Sequence, residues 1–241
     1  METDKEIGRF RVLSGSALKI IAVACMLCDH AAKFWLYKFG FIKAPLFFVG
    51  STKISLGFLM ANVIGRIAFP LFAFLAVEGY LHTRNCRRYM FNLLVFALLS
   101  TVPYSLAICG SPFCHKANVL FTLLLGVASI CAIDRFGGWK AFLVTVLSLA
   151  AAYVFKTDYG ILGVTLIILM YGFKSRRELQ SLSVIGCLFR GKASAGLPLA
   201  AIPIMLYNGE RGFIKGRFGK YAFYAIYPLQ FLVFYLLRRY C

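Results

Sequence analysis

Asp29 and His30 stand inside an apolar stretch, residues 16–33, that is long enough to cross a bilayer. Histidine exchanges a proton near neutral pH, so it suits a general base or a transient acyl carrier. Ionisable groups cost roughly 2.5–3.5 kcal/mol near the centre of a membrane-inserted helix, and such a pair therefore indicates a functional site. Lys19 precedes His30 by eleven positions, which on a helix is nearly the same face, about 16 Å along the axis. This face links one membrane surface to the membrane interior.

A second apolar stretch, residues 59–81, carries Arg66 near one end and Glu78 near the other. Pro70 predicts a kink between them. Glu78 and His82 are four positions apart, so they share a helix face. The second helix therefore brings ionisable groups to both membrane surfaces.

Three apolar stretches and their connections bring five polar groups to one predicted depth: His30, Asp29, Arg66, Asn118 and Asp158. Adjacent helical positions point about 100° apart, so we expect Asp158 to set the His30 tautomer and Asp29 to pair with Arg66. The alternative is a polar network that only locks the helices together, at about 0.6–2 kcal/mol per contact. Five polar groups at one depth of the membrane favour a functional site over a purely structural network.

The composition indicates an integral membrane protein. Apolar residues make up 61% of the chain and charged residues only 15%, far from a typical soluble domain. The net charge is +18, but the Lys and Arg residues lie between apolar spans, which is typical of loops at a membrane surface. The pattern predicts no nucleic-acid binding, and it suits anionic membrane lipids or a polyanionic cofactor.

Apolar runs of membrane length predict an all-α, polytopic transmembrane bundle of about eight helices, in a single domain over residues 1–241. Gly196, Pro198 and Pro203 interrupt the seventh span, which we expect to be broken or re-entrant. Residues 41–58 are predicted to be an extramembrane loop or an interfacial helix. The predicted spans are residues 16–36, 59–81, 89–109, 117–134, 139–155, 160–173, 181–206 and 221–237.

A small excess of Lys and Arg predicts that both termini face the cytoplasm. Residues 1–15 are polar and lack the apolar core of a cleaved signal peptide. Cys109 and Cys114 bracket a short loop on the opposite side, where an oxidising compartment would allow a disulfide. The sequence has no zinc-type Cys pairing, His-x-x-x-His pair, phosphate loop or serine nucleophile elbow, so no metal site is predicted.

Five runs of this sequence carry a family resemblance. The longest, residues 64–85, reads Ile-Gly-Arg-Ile-Ala-Phe-Pro-Leu-Phe-Ala-Phe-Leu-Ala-Val-Glu-Gly-Tyr-Leu-His-Thr-Arg-Asn, and the others are residues 14–22, 118–126, 158–163 and 223–228. Together they resemble the TraX family, named for the conjugation protein needed for N-terminal acetylation of F-type pilin. More distantly, Lys19, ten intervening positions and His30 resemble the motif of type-3 membrane acyltransferases.

The resemblance implies an acetyltransferase of the bacterial cytoplasmic membrane, with acetyl-coenzyme A as co-substrate entering from the cytoplasm. The acceptor would be an amine or a hydroxyl on a pilin N-terminus, a glycan or a lipid head group. The residues expected to act in catalysis are His30, Asp29, Asp158, Arg66 and Asn118. Those expected at the cofactor are Lys19, His82, Arg84 and Glu78. The cations among them suit phosphates at a helix end, and Glu78 shares a helix face with His82.

One position departs from the family pattern. The final span usually reads Tyr-Pro-x-His in the family, whereas this chain has Gln230 after Tyr227-Pro228-Leu229. Glutamine takes no proton at neutral pH, so either that histidine is not essential or this member has altered activity.

Two other functions stay as alternatives to an acetyltransferase: a proton-coupled transporter and a non-catalytic assembly factor. An assembly factor would need neither His30 nor Asp158, and without His30 as base the chemistry would move to the Glu78–His82 pair.

Overall fold

The computed structural model describes residues 11–189, 191–214 and 216–240 as a helical bundle with one small β-hairpin. The all-α prediction is confirmed. Residues 1–10 and Arg190, which belong to the predicted amino-terminal segment and seventh span, lie outside the described residues. The helices are α1 (Gly15–Phe34), α2 (Gly40–Lys43), α3 (Leu56–Leu81), α4 (Cys86–Cys109), α5 (Val119–Arg135), α6 (Gly138–Val154), α7 (Gly160–Gly172), α8 (Arg177–Leu188), α9 (Ala201–Met205) and α10 (Gly216–Tyr240).

Three helices are long and apolar enough to cross a membrane among these residues. They are α3, α4 and the part of α10 from Phe218 to Tyr240, while α6 and α7 are apolar but shorter. Fully buried side chains from several helices, such as Leu18, Phe74 and Ile167, form one continuous core between them. The chain is therefore built as a membrane protein, and the number of spans stays a prediction.

The connection between α1 and α3 contains an antiparallel hairpin, so the prediction of a loop or interfacial helix is wrong for this part. Strand β1 (Pro45–Val49) pairs with β2 (Thr52–Ser55), with Phe48 opposite Lys53 and Val49 opposite Thr52. Gly50 adopts a positive φ of 58° in the two-residue turn, which glycine tolerates without steric cost. Apolar and β-branched residues on both sides of that turn favour strands.

Backbone contacts define the two ends of the bundle. At the N-terminal end, Leu13 pairs with the segment after α9, where the Leu13 N–H donates to the Leu206 carbonyl at 2.9 Å. At the other end, called here the distal end, the Arg238 guanidinium lies 3.5 Å from the Ala107 carbonyl at the end of α4. Helix α10 therefore carries the chain to the end opposite Leu13, so Leu13 and Arg238 do not lie on one side, as the predicted topology requires.

Residues 177–207 enter the bundle and return to the same end. Arg177 and Tyr207 lie together at the N-terminal end, while between them the Gly196 N–H donates to the Asn62 carbonyl at 3.0 Å. A Cβ on Gly196 would lie 1.8 Å from the Val63 carbonyl oxygen, so only glycine permits this approach. Residues 181–206 are therefore re-entrant, as their interruption by glycine and proline predicts, and the full crossing assumed in the predicted topology is wrong.

This correction changes the charge balance between the two ends. In the structure, the loop containing Arg211 lies at the N-terminal end, and Arg238 and Arg239 lie at the distal end. The predicted topology has each of them on the opposite side. The excess of Lys and Arg at the N-terminal end becomes larger than the sequence alone suggested. It favours a cytoplasmic position for that end.

Helix α3 is irregular in the turn before Pro70. Residues Leu59–Ile64 form a π-helical turn and Gly65–Ile67 a 3-10 turn, after which regular helix begins at Ala68. Proline has no N–H to donate to the carbonyl four residues earlier, and its ring clashes there, so the preceding turn must rearrange. The sequence predicts a kink at this place, and the rearranged turn is what positions Arg66.

Candidate functional site

A cavity of about 390 Å³ lies toward the distal end of the bundle. Its volume is in the range of small-molecule sites. Residues from α1, α3, α4 and α10 line it together with the loops before α5 and α7. Four of the five predicted catalytic residues, Asp29, His30, Arg66 and Asp158, are among them.

The His30 ring is held between aromatic rings on two helices. Its centroid lies 5.6 Å from Phe34 and 4.6 Å from Phe231 of α10. Its Nε2 lies 3.7 Å from Asp29 Oδ2, which is too long for a hydrogen bond. The other ring nitrogen, Nδ1, is buried and has no hydrogen-bond partner in the described part of the chain.

Asp29 forms an ion pair with Lys33, not with Arg66 as predicted. The Lys33 Nζ donates to Asp29 Oδ2 at 2.7 Å, and the spacing of four positions on α1 accounts for this pairing. The Asp29 side chain reaches its place because α3 offers Gly65, where a Cβ would lie 2.5 Å from the Asp29 Cβ. Asp29 Oδ1 has no hydrogen-bond partner among the residues described.

Asp158 lies in the loop between α6 and α7. Its N–H donates to the Ala117 carbonyl at 2.9 Å, and the Thr122 hydroxyl donates to its carbonyl. The carboxyl is accessible from the cavity, yet protein surrounds most of it, and this desolvation raises its pKa above the usual range while Lys33 opposes the rise. Within the described residues Asp158 makes no hydrogen bond to His30, so the predicted direct contact is not formed.

Tyr159 joins this loop to Arg66. Its ring stacks on Phe69 with centroids 3.7 Å apart, and its hydroxyl interacts with the Arg66 guanidinium. Tyr159 has a φ of +64°, a strained conformation for a bulky residue that costs about 1–3 kcal/mol. Arg66 Nε has no hydrogen-bond partner in the described ranges, so the guanidinium keeps an unused donor at the cavity.

Gln230 lies beside His30 on α10. It is buried, and its amide interacts with the His30 ring, although no hydrogen bond of normal geometry joins them. The position where this chain departs from the family pattern is therefore part of the candidate site.

Asn118 does not line the cavity. Its Oδ1 accepts the Leu120 N–H at 3.1 Å and caps α5, while its Nδ2 donates to the Ala97 carbonyl at 2.8 Å. Both ends of this buried side chain are used to hold α5 against α4, so its contacts are structural. The catalytic role predicted for it stays a prediction.

The predicted cofactor residues lie toward the N-terminal end. Glu78 accepts a hydrogen bond of 2.9 Å from Arg177, which packs against Phe74 and Tyr207. Burial raises the pKa of Tyr207 to about 12, so the phenol is neutral beside the carboxylate. The His82 Nδ1 lies 2.8 Å from the Glu78 carbonyl.

The other two cofactor residues are not gathered with this pair. Lys19 lies 5.9 Å from the Phe223 ring centroid on α10. Arg84 is exposed just after α3. The structure therefore places the four residues at one end of the bundle without assembling them into one pocket within the described part.

Comparison with known proteins gives the family. The model of the TraX protein family matches residues 14–238. The chain belongs to the TraX family. It is 30% identical over 246 residues to the "Probable fimbrial assembly protein FimC, serogroup H1" of Dichelobacter nodosus, an alignment that covers 90% of this chain and 92% of the relative. No solved structure matches the chain, and the likeness to type-3 membrane acyltransferases stays an expectation.

Sequence reasoning about this TraX-family chain missed several residues of the cavity. Lys33 is one of them, although its spacing from Asp29 indicates an ion pair on α1. Lys116 and Lys156 also line the cavity, and no spacing in the sequence brings these two loop residues together. At the N-terminal end, Arg177 was missed because its partner Glu78 is 99 positions away.

Proposed function

We propose that this chain is an integral acetyltransferase of the bacterial cytoplasmic membrane. It takes acetyl from acetyl-coenzyme A and transfers it to an amine or a hydroxyl. The observation that carries the proposal is His30, which has an unpaired Nδ1 in the described structure and lies beside a carboxylate at an open cavity. A histidine placed only for packing would be expected to use both ring nitrogens in hydrogen bonds.

The Asp29 carboxylate faces Nε2, which favours a proton on that nitrogen and leaves the Nδ1 lone pair as the base. In the proposed step, Nδ1 takes the proton from the acceptor amine or hydroxyl. The acceptor nitrogen or oxygen forms a bond to the acetyl carbon, the carbon–sulfur bond of the thioester breaks, and the thiolate leaves. The proton held by His30 then passes to the thiolate, so base and thiol are both regenerated.

Arg66 supplies the positive charge in this scheme. The Tyr159 hydroxyl interacts with its guanidinium, whose Nε is unpaired within the described residues. A cation near the reacting carbonyl stabilises the negative charge that develops on its oxygen during acyl transfer. Asp158, accessible in the same cavity, stabilises the positive charge of His30 after it has taken the proton.

We propose that the donor enters from the cytoplasm at the N-terminal end. Lys19, His82 and Arg84 would contact its phosphates, since guanidinium and ammonium groups suit phosphate oxygens. Glu78 would act there indirectly, because its ion pair with Arg177 holds the re-entrant segment against α3.

The acceptor is one of three kinds that share an amine or a hydroxyl: a pilin-like N-terminus, a glycan or a lipid head group. The relative from Dichelobacter nodosus is named a probable fimbrial assembly protein, which favours the first. Mass spectrometry of envelope fractions from cells with and without the gene would identify the acceptor as the species that loses one acetyl group.

The test with purified protein is transfer of labelled acetyl from acetyl-coenzyme A to that acceptor. We expect turnover by the native chain and none by His30→Gln, with binding of acetyl-coenzyme A in both. Binding of acetyl-coenzyme A weakened by Arg84→Ala would support the proposed donor surface. Failure of the native chain both to bind the donor and to yield an acetylated product would overturn the assignment.

The name of the relative also favours a second candidate, a non-catalytic assembly factor. Such a factor needs no proton acceptor at residue 30. Complementation of a gene deletion by both His30→Gln and Asp158→Asn would support the assembly factor against the enzyme.

A further inference from the structure

The rim of the cavity carries more positive than negative charge. Two lysines from separate loops, Lys116 and Lys156, line it together with Lys33 and Arg66, while Asp29 and Asp158 are the carboxylates in its lining. Asp29 is already paired with Lys33. One carboxylate therefore remains against three cations.

The backbone builds this arrangement. The Ala117 N–H donates to the Phe155 carbonyl at 3.2 Å, and the Ala117 carbonyl accepts the Asp158 N–H at 2.9 Å. These two bonds hold the loops side by side, so Lys116 and Lys156 flank the same opening. The Cys109–Cys114 disulfide closes the first loop just before Lys116.

The end of α6 fixes the position of Lys156. Its φ is +46°, its N–H donates to the Tyr153 carbonyl at 3.2 Å, and the Thr157 N–H donates to the Ala152 carbonyl at 3.1 Å. This is the Schellman cap that commonly ends a helix, and it sets the direction in which the chain leaves α6 beside the cavity. Neither Lys116 nor Lys156 forms an ion pair with a carboxylate in the described part of the chain.

These two lysines are not explained by membrane topology. They lie at the distal end, whereas the positive-inside rule concentrates Lys and Arg on the cytoplasmic side. Lys38, Lys43 and Lys53 also lie toward that end, on the segment around the hairpin, but they do not line the cavity. Contact with bulk anionic lipid would account for those three, while Lys116 and Lys156 are exposed at the cavity and line it.

We propose that the cavity binds an acceptor that carries a phosphate or a carboxylate close to the amine or hydroxyl that receives the acetyl group. The statement that the bound molecule is an acetyl acceptor rests on the proposed function. The anion site itself is inferred from the cations that line the cavity. Lys116 and Lys156 contact the anion, and Arg66 lies deeper, beside the reacting group. An ammonium group binds such oxygens as a point charge with three donors.

The test is lysine footprinting of the full chain in phosphatidylcholine nanodiscs, with an acetylating reagent and mass spectrometry, at constant ionic strength. The probes are glycerol 3-phosphate and glucuronate, each against its uncharged counterpart, glycerol or glucose. At a probe concentration of about ten times its dissociation constant, the rate at which Lys116 and Lys156 are labelled should fall about tenfold. Lys53 and Lys140, which are exposed and outside the cavity, serve as unprotected controls.

A second arm replaces phosphatidylcholine with phosphatidylglycerol. Protection that needs this lipid identifies a phospholipid head group as the source of the anion, and protection by a soluble probe identifies a free phosphate or carboxylate. The double variant Lys116→Gln with Lys156→Gln should abolish the protection of Lys33, which is partly exposed, while Lys43→Gln with Lys53→Gln should preserve it.

Equal labelling of Lys116 and Lys156 with and without every anion would overturn the inference, even if acetyl transfer is observed. Protection in a protein that shows no His30-dependent transfer would leave the anion site standing and remove the proposed enzyme activity. The two failures are therefore distinguishable.

Discussion

The two ends of the bundle use the same kinds of residue in different ways. At the N-terminal end, the Glu78 carboxylate is paired with Arg177 at 2.9 Å, and Asp134 accepts hydrogen bonds from the hydroxyls of Tyr80 at 2.8 Å and Tyr171 at 2.6 Å. At the cavity, His30 and Arg66 each keep a polar atom without a hydrogen-bond partner among the described residues.

The difference separates polar groups that other protein groups satisfy from buried polar atoms that they do not. A carboxylate that is paired with a cation or accepts hydrogen bonds within the protein stabilises the packing of helices. An unpaired ring nitrogen beside an open cavity costs stability, which is typical of a site whose partner is a ligand. Substitutions at the cavity should therefore reduce turnover, whereas substitutions at the N-terminal ion pair should reduce stability.

The largest expected effect is at His30. Replacement by Ala or by Gln should lower the acetyl-transfer rate by about 10²–10⁴, because proton transfer by a positioned base is lost. Gln keeps hydrogen-bonding capacity but accepts no proton, so the two variants should be about equally inactive, with unchanged thermal unfolding. A His30→Gln protein that kept most of its rate would move the chemistry away from α1, toward Glu78 and His82.

The next effect is on stability, at Arg177. Arg177→Ala should lower the free energy of unfolding by about 3–5 kcal/mol, because Glu78 would stay buried without its cation. Thermal unfolding in detergent measures the loss. Arg176→Ala is the matched control, since Arg176 is exposed and should change stability by less than about 0.5 kcal/mol. Equal effects of the two variants would show that the ion pair is not what stabilises this end.

A smaller effect is expected from Gly65→Ala. The added Cβ would lie 2.5 Å from the Asp29 Cβ and 2.6 Å from its Oδ1, so Asp29 must move away from His30 and Lys33. A displacement of about 1 Å at a catalytic group can cost up to about 100-fold in rate. Gly186→Ala, on α8 with nothing within 4 Å of its Cβ, is the control. Wild-type turnover in Gly65→Ala would mean that the position of Asp29 does not matter.

The smallest effect is expected from Tyr159→Phe. The variant keeps the stack on Phe69 and removes only the hydroxyl that interacts with Arg66. Loss of a contact worth at most one hydrogen bond should cost about 0.5–1.5 kcal/mol, or roughly a 2- to 12-fold loss of transfer rate. Tyr153→Phe, at an exposed position on α6, should be neutral. An effect as large as that of His30→Ala would give the Tyr159 hydroxyl a direct catalytic role.

The sequence by itself determined the helical class, the apolar stretches and the polar residues within them. Hydrophobic length and helical periodicity are local properties, so they are readable along the chain. The convergence of His30, Asp29, Arg66 and Asp158 could also be predicted, because crossing directions alternate between successive helices. The same local spacing indicates the Asp29–Lys33 pair.

Only the tertiary structure decided which polar groups pair and where the chain turns back. Glycine and proline predict an interruption in residues 181–206, but the turn back to the same end depends on the contact between Gly196 and the Asn62 carbonyl. The ion pair of Glu78 with Arg177 and the meeting of Lys116 with Lys156 join distant positions through three-dimensional packing. Such contacts have no periodic signal, because their energy depends on geometry that forms only when the helices assemble.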